Sequence, residues 1–139
     1  MRILGIDFGL KKIGLAQSEG ELASPLDVWR YRTLSELQDK LSSFCQTQGV
    51  KRVVFGLPEK SVATQPLISK INVLARHLQA RTKLEVFFEP EVYTTQTAKN
   101  KLIESQQRQS RRCQDDDFAA AVILQSFLDR KQNGRPGFS

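Results

Sequence analysis

The chain opens with Met-Arg-Ile-Leu-Gly-Ile-Asp-Phe-Gly-Leu-Lys-Lys-Ile-Gly-Leu-Ala, residues 1–16, and this stretch decides the fold. An apolar run that ends on Asp7 predicts a buried strand, and the apolar run 13–16 predicts its hairpin partner. The residues between Phe8 and Lys12 supply the turn. A carboxylate at the exit of a central strand is costly to bury alone, so Asp7 needs either the backbone N–H groups of the turn or a cation. A short Asp-x-Gly motif by itself favours the turn, and the rest of the chain must decide.

The composition is that of a single basic globular domain. The 139 residues suffice for one domain with a sizeable core, and the hydrophobic share of 40% is ordinary. Lysine and arginine outnumber aspartate and glutamate by 21 to 15, which favours a polyanionic partner, most commonly nucleic acid. Cys45 and Cys113 have neither metal-site nor disulfide spacing, and Cys45 is expected in the core. No segment resembles a signal peptide or a membrane span, so a cytoplasmic location without membrane association is expected.

Extended and helical patterns alternate after the first hairpin. The extended segments are residues 25–33, 53–55 and 84–88. The helical segments are one with apolar residues at helical spacing from Leu34 to Phe44, residues 66–79, a segment around 98–103 capped by Thr94 or Thr95, and a last helix from Asp115 or Asp116 to Leu128. Thr33 or Ser35 is the expected N-cap of the first helix, and Gly49 its end. This order predicts an α/β domain over residues 1–130, antiparallel at the start and parallel afterwards, with a disordered tail over 131–139.

Acidic residues occur at the ends of two predicted strands and at the start of the last helix. In a parallel sheet these points lie at the same edge. The acidic residues are Asp7, the pair Glu89 and Glu91, and Asp115 to Asp117. Crowded carboxylates repel one another, and Mg²⁺ relieves that repulsion because it prefers hard oxygen ligands. Two such ions can promote phosphodiester cleavage. Glu91 can instead be a solvated loop residue, and an aspartate before a helix can be an N-cap, but three in succession exceed what capping requires.

Four motifs follow one another along nearly the whole chain. They are Ile-Asp-Phe-Gly-Leu-Lys-Lys-Ile-Gly-Leu-Ala, then Val-Val-Phe-Gly-Leu-Pro, then Glu91 before Tyr-Thr-Thr, and finally Asp-Asp-Phe-Ala-Ala-Ala-Val-Ile-Leu-Gln from Asp116. In this order they resemble the YqgF/RuvX family of Holliday-junction-resolvase-like nucleases. The resemblance implies a ribonuclease H-like fold, in which helices flank a five-stranded mixed sheet whose first three strands are antiparallel. It also implies a divalent-metal endonuclease with a role in maturing the 5′ end of precursor 16S ribosomal RNA or in resolving Holliday junctions.

The resemblance also implies roles for individual residues. Asp7, Glu91 and Asp116 match the three catalytic carboxylates that hold Mg²⁺, for which Mn²⁺ can substitute. Lys11 and Lys12 match a basic pair that would contact phosphate. Glu89 is the alternative to Glu91 if the register shifts by two residues, and Asp115 and Asp117 are alternatives to Asp116. A separate basic segment can neutralise a nucleic-acid backbone or can be a solvated loop without a partner, and it holds Arg108, Arg111 and Arg112.

Two departures from the family pattern weaken the expected site. The family's acidic-Glu-Arg triplet reads Pro90-Glu91-Val92, and residues 59–62, Glu-Lys-Ser-Val, replace an Asn and a Gly-containing loop. These changes motivate a second hypothesis, a nucleic-acid-binding ribosome-assembly factor with weak or no catalytic activity. A third class, the ATP-binding domains of actin and sugar kinases, shares Asp-x-Gly but needs a second domain and a second glycine-rich loop that this sequence lacks. The sequence leaves RNA or branched DNA open as the substrate, and monomer or homodimer open as the assembly.

Overall fold

The computed structural model describes residues 2–91, 99–100, 102–104 and 115–132. The strands in this part of the chain are β1 (Arg2–Phe8), β2 (Lys12–Ser18), β3 (Ser24–Arg30), β4 (Val50–Leu57) and β5 (Glu85–Pro90). The helices are α1 (Leu34–Gln48), α2 (Gln65–Arg81) and α3 (Asp115–Gln132). Residues 99–100 and 102–104 are also helical, in agreement with the predicted helix around 98–103. The predictions for Thr94 and Thr95, the arginine segment, Cys113 and residues 133–139 of the tail lie outside the described residues. The last helix was predicted to end at Leu128 but continues to Gln132, so residues 131–132, predicted as part of a disordered tail, are helical.

The five strands form one mixed sheet in the order β3-β2-β1-β4-β5. β1 pairs antiparallel with β2, and β2 antiparallel with β3, whereas β4 is parallel to both β1 and β5. This confirms the predicted antiparallel start and parallel remainder. The third strand ends at Arg30 rather than at Thr33, because its partner β2 begins at Lys12, opposite Arg30, and Thr33 already caps the next helix.

Both ends of α1 are fixed by the residues that the sequence indicates. The Thr33 hydroxyl accepts a hydrogen bond from the backbone N–H of Glu36 at 3.1 Å, so Thr33 rather than Ser35 is the N-cap. Gly49 adopts a φ of 66°, and its N–H donates to Cys45 O, which is the left-handed C-cap that glycine favours. Cys45 itself is buried in the core, as predicted.

Two hydrophobic layers sandwich the sheet. One lies beneath α1 and α2 and contains Phe55, while the other lies beneath α3 and contains Val54. Neighbouring residues of a strand face opposite layers, so the odd and even positions of β1 point to different helices. Among the described residues no helix is long and apolar enough to span a membrane.

Candidate active site

Asp7 lies near the end of β1, on the side of the sheet that faces α3. Ile3 packs in the α3 layer, and a Cβ atom placed on Gly5 would lie 2.8 Å from Leu124 Cβ of that helix. Asp7 follows these residues at the same two-residue period, so it shares their face. It is half-buried.

Glycines surround Asp7 on the sheet. Gly5 and Gly9 lie two residues to either side along the chain, and Gly14 is its cross-strand partner on β2. On the other side, Ile6 pairs with Phe55, which puts Gly56 level with Asp7 on β4. At Gly5 and Gly56 the absence of a side chain admits α3, since a Cβ atom there would lie 2.8 Å from Leu124 Cβ and 2.3 Å from Ile123 Cδ1.

The carboxylate alternative Glu89 lies in the same row. Gly56 pairs with Glu89 of β5, so Asp7, Gly56 and Glu89 are level across three strands. The Cα atoms of Asp7 and Glu89 are therefore about 10 Å apart, twice the spacing of neighbouring strands. The side chain of Ile123 covers Gly56 between them, because a Cβ atom on that glycine would lie 2.3 Å from Ile123 Cδ1.

The carboxylate of Glu89 is already hydrogen-bonded to side chains of α3. It is 1% exposed. Ser126 Oγ donates to its Oε2 at 3.0 Å, and Arg130 Nη1 donates to its Oε1 at 2.6 Å. Both carboxylate oxygens are thus occupied, and they fasten β5 to α3. Sequence reasoning missed this tie, although the spacing of Ser126 and Arg130 by one helical turn was a signal that they share a face.

Glu91 follows directly after β5 and is half-buried. Burial raises the pKa of this carboxyl above its usual range, because the charged form loses hydration. A nearby cation would offset this loss of hydration and stabilise the charged form of the carboxylate. Glu91 rather than Glu89 therefore has the properties expected of a ligand at the sheet edge.

Asp116 is placed by its backbone alone. It lies in the first turn of α3, and Ala120, one turn later, has its carbonyl oxygen 3.1 Å from the position of a Cβ on Gly5. One turn corresponds to about 5.4 Å along the helix axis, so the start of α3 approaches the strand that carries Asp7. The side chain of Asp116 lies outside the described residues. Within those residues, no three His, Cys, Asp or Glu side chains converge to hold a metal ion.

The turn after Asp7 is held by Tyr31. The Tyr31 hydroxyl donates to the carbonyl of Gly9, and its ring centroid lies 5.9 Å from that of Phe8. Lys11 is exposed in this turn, and Lys12 begins β2 directly opposite Arg30 of β3. Arg108, Arg111 and Arg112 lie outside the described residues.

The loop after Pro58 also has its own hydrogen bonds. Thr64 Oγ1 donates to Glu59 O at 2.7 Å and accepts from the backbone N–H of Ser61 at 2.9 Å. Val62 is 93% exposed at the tip. The loop that replaces the family pattern is therefore a closed turn that offers an apolar side chain to solvent.

Comparison with known proteins identifies relatives along the full chain. The RuvX family model, described as Holliday junction resolvase, matches residues 1–130. A relative from Moorella thermoacetica is 40% identical over 139 residues, covering 96% of this chain and 99% of the relative. One from Protochlamydia amoebophila is 36% identical over 141 residues, covering 94% of each. Both are named "Putative pre-16S rRNA nuclease".

Solved structures show the same fold at low sequence identity. RuvC of T. thermophilus, in complex with a Holliday junction substrate, has a TM-score of 0.73 at 13% identity over 96% of both chains. The fowlpox virus Holliday junction resolvase has a TM-score of 0.57 at 12% identity over 93% of this chain and 99% of its own. The fold is therefore ribonuclease H-like, as predicted. With the family model matched from residue 1 to residue 130, this chain belongs to the RuvX family of Holliday junction resolvase-like nucleases.

Proposed function

We propose that this chain is a metal-dependent endonuclease that cleaves phosphodiester bonds in structured nucleic acid. The relatives' names point to precursor 16S ribosomal RNA, and the family description points to Holliday junctions. The observation that carries the proposal is the position of Asp7. It is a half-buried carboxylate, ringed by glycines, at the edge of the sheet that Glu91 and the start of α3 also approach.

The donor set suits a hard divalent cation. Asp7 and Glu91 are half-buried carboxylates, and the raised pKa of Glu91 marks a charge that lacks sufficient hydration. We infer that Asp7, Glu91 and Asp116 hold Mg²⁺, or Mn²⁺ in its place. When bound, the ion supplies Lewis-acid stabilisation of charge on the scissile phosphate.

The remaining residues bind and orient the substrate. Lys12 lies on the same face as Asp7, because Gly14, two residues later, is the cross-strand partner of Asp7. Lys11 and Lys12 would neutralise phosphates beside the carboxylates, which makes binding dependent on salt concentration. Arg108, Arg111 and Arg112 are proposed to add to this neutralisation.

The test is cleavage by purified protein in the presence of Mg²⁺. Two labelled substrates are compared, a four-way DNA junction and a precursor 16S ribosomal RNA fragment. We expect one of them to be cut and EDTA to abolish the cut. The Asp7→Asn variant should lose at least about 100-fold in rate, the scale expected when one charge-stabilising group is removed. The matched control is Asp39→Asn, because Asp39 is exposed on α1 in the opposite layer.

A nucleic-acid-binding assembly factor with weak or no catalytic activity is the competing candidate. It is favoured by Pro90 and Val92, which replace an acidic residue and an arginine of the family pattern, and by the closed loop after Pro58. Binding of either substrate without metal-dependent cleavage would establish this candidate and reject the nuclease. Equal cleavage by the wild type and Asp7→Asn would also reject the proposed site.

The substrate and the oligomeric state are linked. A junction resolvase cuts two strands symmetrically and needs two active sites, so that reading goes with a homodimer. An RNA-processing nuclease needs only one site and can act as a monomer. The mass in solution, measured beside the two cleavage reactions, distinguishes these readings.

A further inference from the structure

Two like charges face each other across the β2–β3 pair. Lys12 and Arg30 are directly opposite in the antiparallel register. Like charges in this arrangement destabilise a sheet, because their side chains lie within about 5.5 Å at the Cβ atoms. Arg30 is exposed, and so is Arg32 two residues later. Within the described part of the chain, neither arginine forms an ion pair with a carboxylate.

Lys12 and Arg30 lie on the same face of the sheet as Asp7, and Arg32 follows just beyond the end of β3. Asp7 pairs with Gly14, and Gly14 pairs with Val28, so these three residues form one row. Lys12 and Arg30 form the next row toward the edge at the two-residue period. Strand spacing and rise put their Cα atoms about 8 and 12 Å from that of Asp7. At these backbone distances the long lysine and arginine side chains can contact a phosphate at Asp7 and its neighbours along a nucleic-acid strand.

The end of β3 is hydrogen-bonded to the turn that follows Asp7. The backbone N–H of Tyr31 donates to Lys11 O at 3.2 Å, and its hydroxyl donates to the carbonyl of Gly9. Tyr31 stands between Arg30 and Arg32, so these contacts hold this segment against the turn. A surface whose backbone is fixed before binding loses less entropy when the ligand arrives.

We propose that a β3-end surface, made of Lys11, Lys12, Arg30 and Arg32, binds the phosphate backbone of the nucleic acid on one side of the cleavage site. This proposal rests on the proposed function and adds the direction in which the bound nucleic acid runs from the cleavage site. In this arrangement, the nucleic-acid strand whose phosphate lies at Asp7 continues across β2 and β3. Cations spread over the β1–β2 turn and the end of β3 fit an extended polyanion better than a small anion.

The test is nucleic-acid binding without metal, by fluorescence anisotropy in EDTA over a series of salt concentrations. The probes are the labelled four-way DNA junction and the precursor 16S ribosomal RNA fragment. The variant is Arg30→Gln/Arg32→Gln. We expect its affinity at 0.1 M salt to fall at least about 10-fold, and the slope of log K against log salt to decrease by about 1.4 to 1.8, because two phosphate contacts are lost.

Two control variants separate this surface from general charge effects. Lys51→Gln/Lys83→Gln removes two exposed cations at the opposite end of the sheet, at the start of β4 and just before β5, and should leave the slope unchanged. Arg30→Lys/Arg32→Lys keeps the charge and should restore most of the slope.

The outcomes test the β3-end surface and the proposed function separately. Unchanged binding by Arg30→Gln/Arg32→Gln, or an equal loss in Lys51→Gln/Lys83→Gln, overturns the β3-end surface while the proposed function stands. Failure of the wild type to bind either probe overturns the proposed function and this inference with it. A reduced slope in Arg30→Gln/Arg32→Gln alone supports the surface even if no cleavage is detected.

Discussion

Asp7 and Glu91 reach the edge of the sheet in different surroundings. Asp7 has glycines as its neighbours on the sheet, whereas Glu91 is packed closely enough that burial raises the pKa of its carboxyl. Loss of hydration therefore disfavours the ionised form of Glu91 in the folded protein, and a bound cation would favour it. This opposition between stability and function is common at binding sites.

The stability cost of Glu91 can be measured as a function of pH. Because the pKa is raised in the folded state, the stabilising contribution of the protonated form is present below the unfolded pKa of about 4.3. It is lost as pH rises through the folded pKa. We expect Glu91→Gln to raise the free energy of unfolding at pH 7 in EDTA, and to have no such effect below about pH 4. Urea unfolding at the two pH values measures this difference.

A suitable control for this experiment is Glu59→Gln, because Glu59 is exposed in the loop after β4. It should leave the free energy of unfolding unchanged at both pH values. A Glu91→Gln variant that is less stable than the wild type at pH 7 would contradict the account, since it would mean that the ionised carboxylate stabilises the metal-free fold.

The approach of α3 to the sheet depends on Gly5 and Gly56. A Cβ on Gly5 would meet Leu124 Cβ at 2.8 Å and the Ala120 carbonyl oxygen at 3.1 Å, so the helix backbone must move. A Cβ on Gly56 would instead meet the terminal Ile123 Cδ1 at 2.3 Å, and that flexible end can turn away. A side chain at Gly5 would therefore displace the backbone of α3, whereas one at Gly56 would displace only a side chain of that helix.

We expect Gly5→Ala to cost about 3 kcal/mol of unfolding free energy and Gly56→Ala about 1 kcal/mol. Ile123→Val should relieve the cost of Gly56→Ala, because it removes the atom that the new Cβ meets. Urea unfolding of Gly5→Ala, Gly56→Ala and Gly56→Ala/Ile123→Val measures these costs. Equal costs for the two single variants would show that α3 does not rest on β1 as closely as described.

The tie between β5 and α3 depends on Arg130. Glu89 is 1% exposed, and its contacts are with Ser126 and Arg130. Arg130→Met removes the cation and leaves a buried carboxylate, which should cost about 3 kcal/mol of unfolding free energy. Adding Glu89→Gln should recover most of this loss, since the amide still accepts from Ser126. Thermal and urea unfolding measure both effects.

Arg81→Met is the matched control for Arg130→Met. It breaks the pair between Arg81 and Asp39, whose side chains are 48% and 66% exposed. An exposed pair contributes at most about 1 kcal/mol. If Arg130→Met costs no more than Arg81→Met, the buried pair does not fasten α3 to β5.

The molecule as a whole shows which features a sequence can predict. Thr33, Gly49 and the apolar periods act within a few residues, so the helix α1 and the sheet directions were predictable from local patterns. The end of β3 was predicted three residues too late, because it is set by the register of Arg30 with Lys12 of β2, eighteen positions away in the chain. The partners of Glu89 were missed for the same reason, since Arg130 lies 41 residues away.

In the candidate site, too, the sequence motifs predicted some features, whereas others depend on contacts between distant residues. Motif order singled out Asp7, Glu91 and Asp116, but it could not separate Glu91 from Glu89. Register and burial favour Glu91 in our proposal, because Glu89 is enclosed by Ser126 and Arg130 whereas Glu91 is half-buried beyond the strand. The like-charged pair of Lys12 and Arg30 was also hidden in the sequence, since it depends on the register of β2 with β3.

The central claim is that Asp7, Glu91 and Asp116, and not their acidic neighbours, hold the metal for cleavage. Its most direct test is the single-turnover cleavage rate in saturating Mg²⁺ of matched variants at adjacent carboxylates. We expect Glu91→Gln and Asp116→Asn to lose at least about 100-fold in rate, as Asp7→Asn does, and Glu89→Gln and Asp117→Asn to stay within about 10-fold of the wild type. Wild-type rates for Glu91→Gln or Asp116→Asn, or an equal loss at Glu89 or Asp117, would contradict the account.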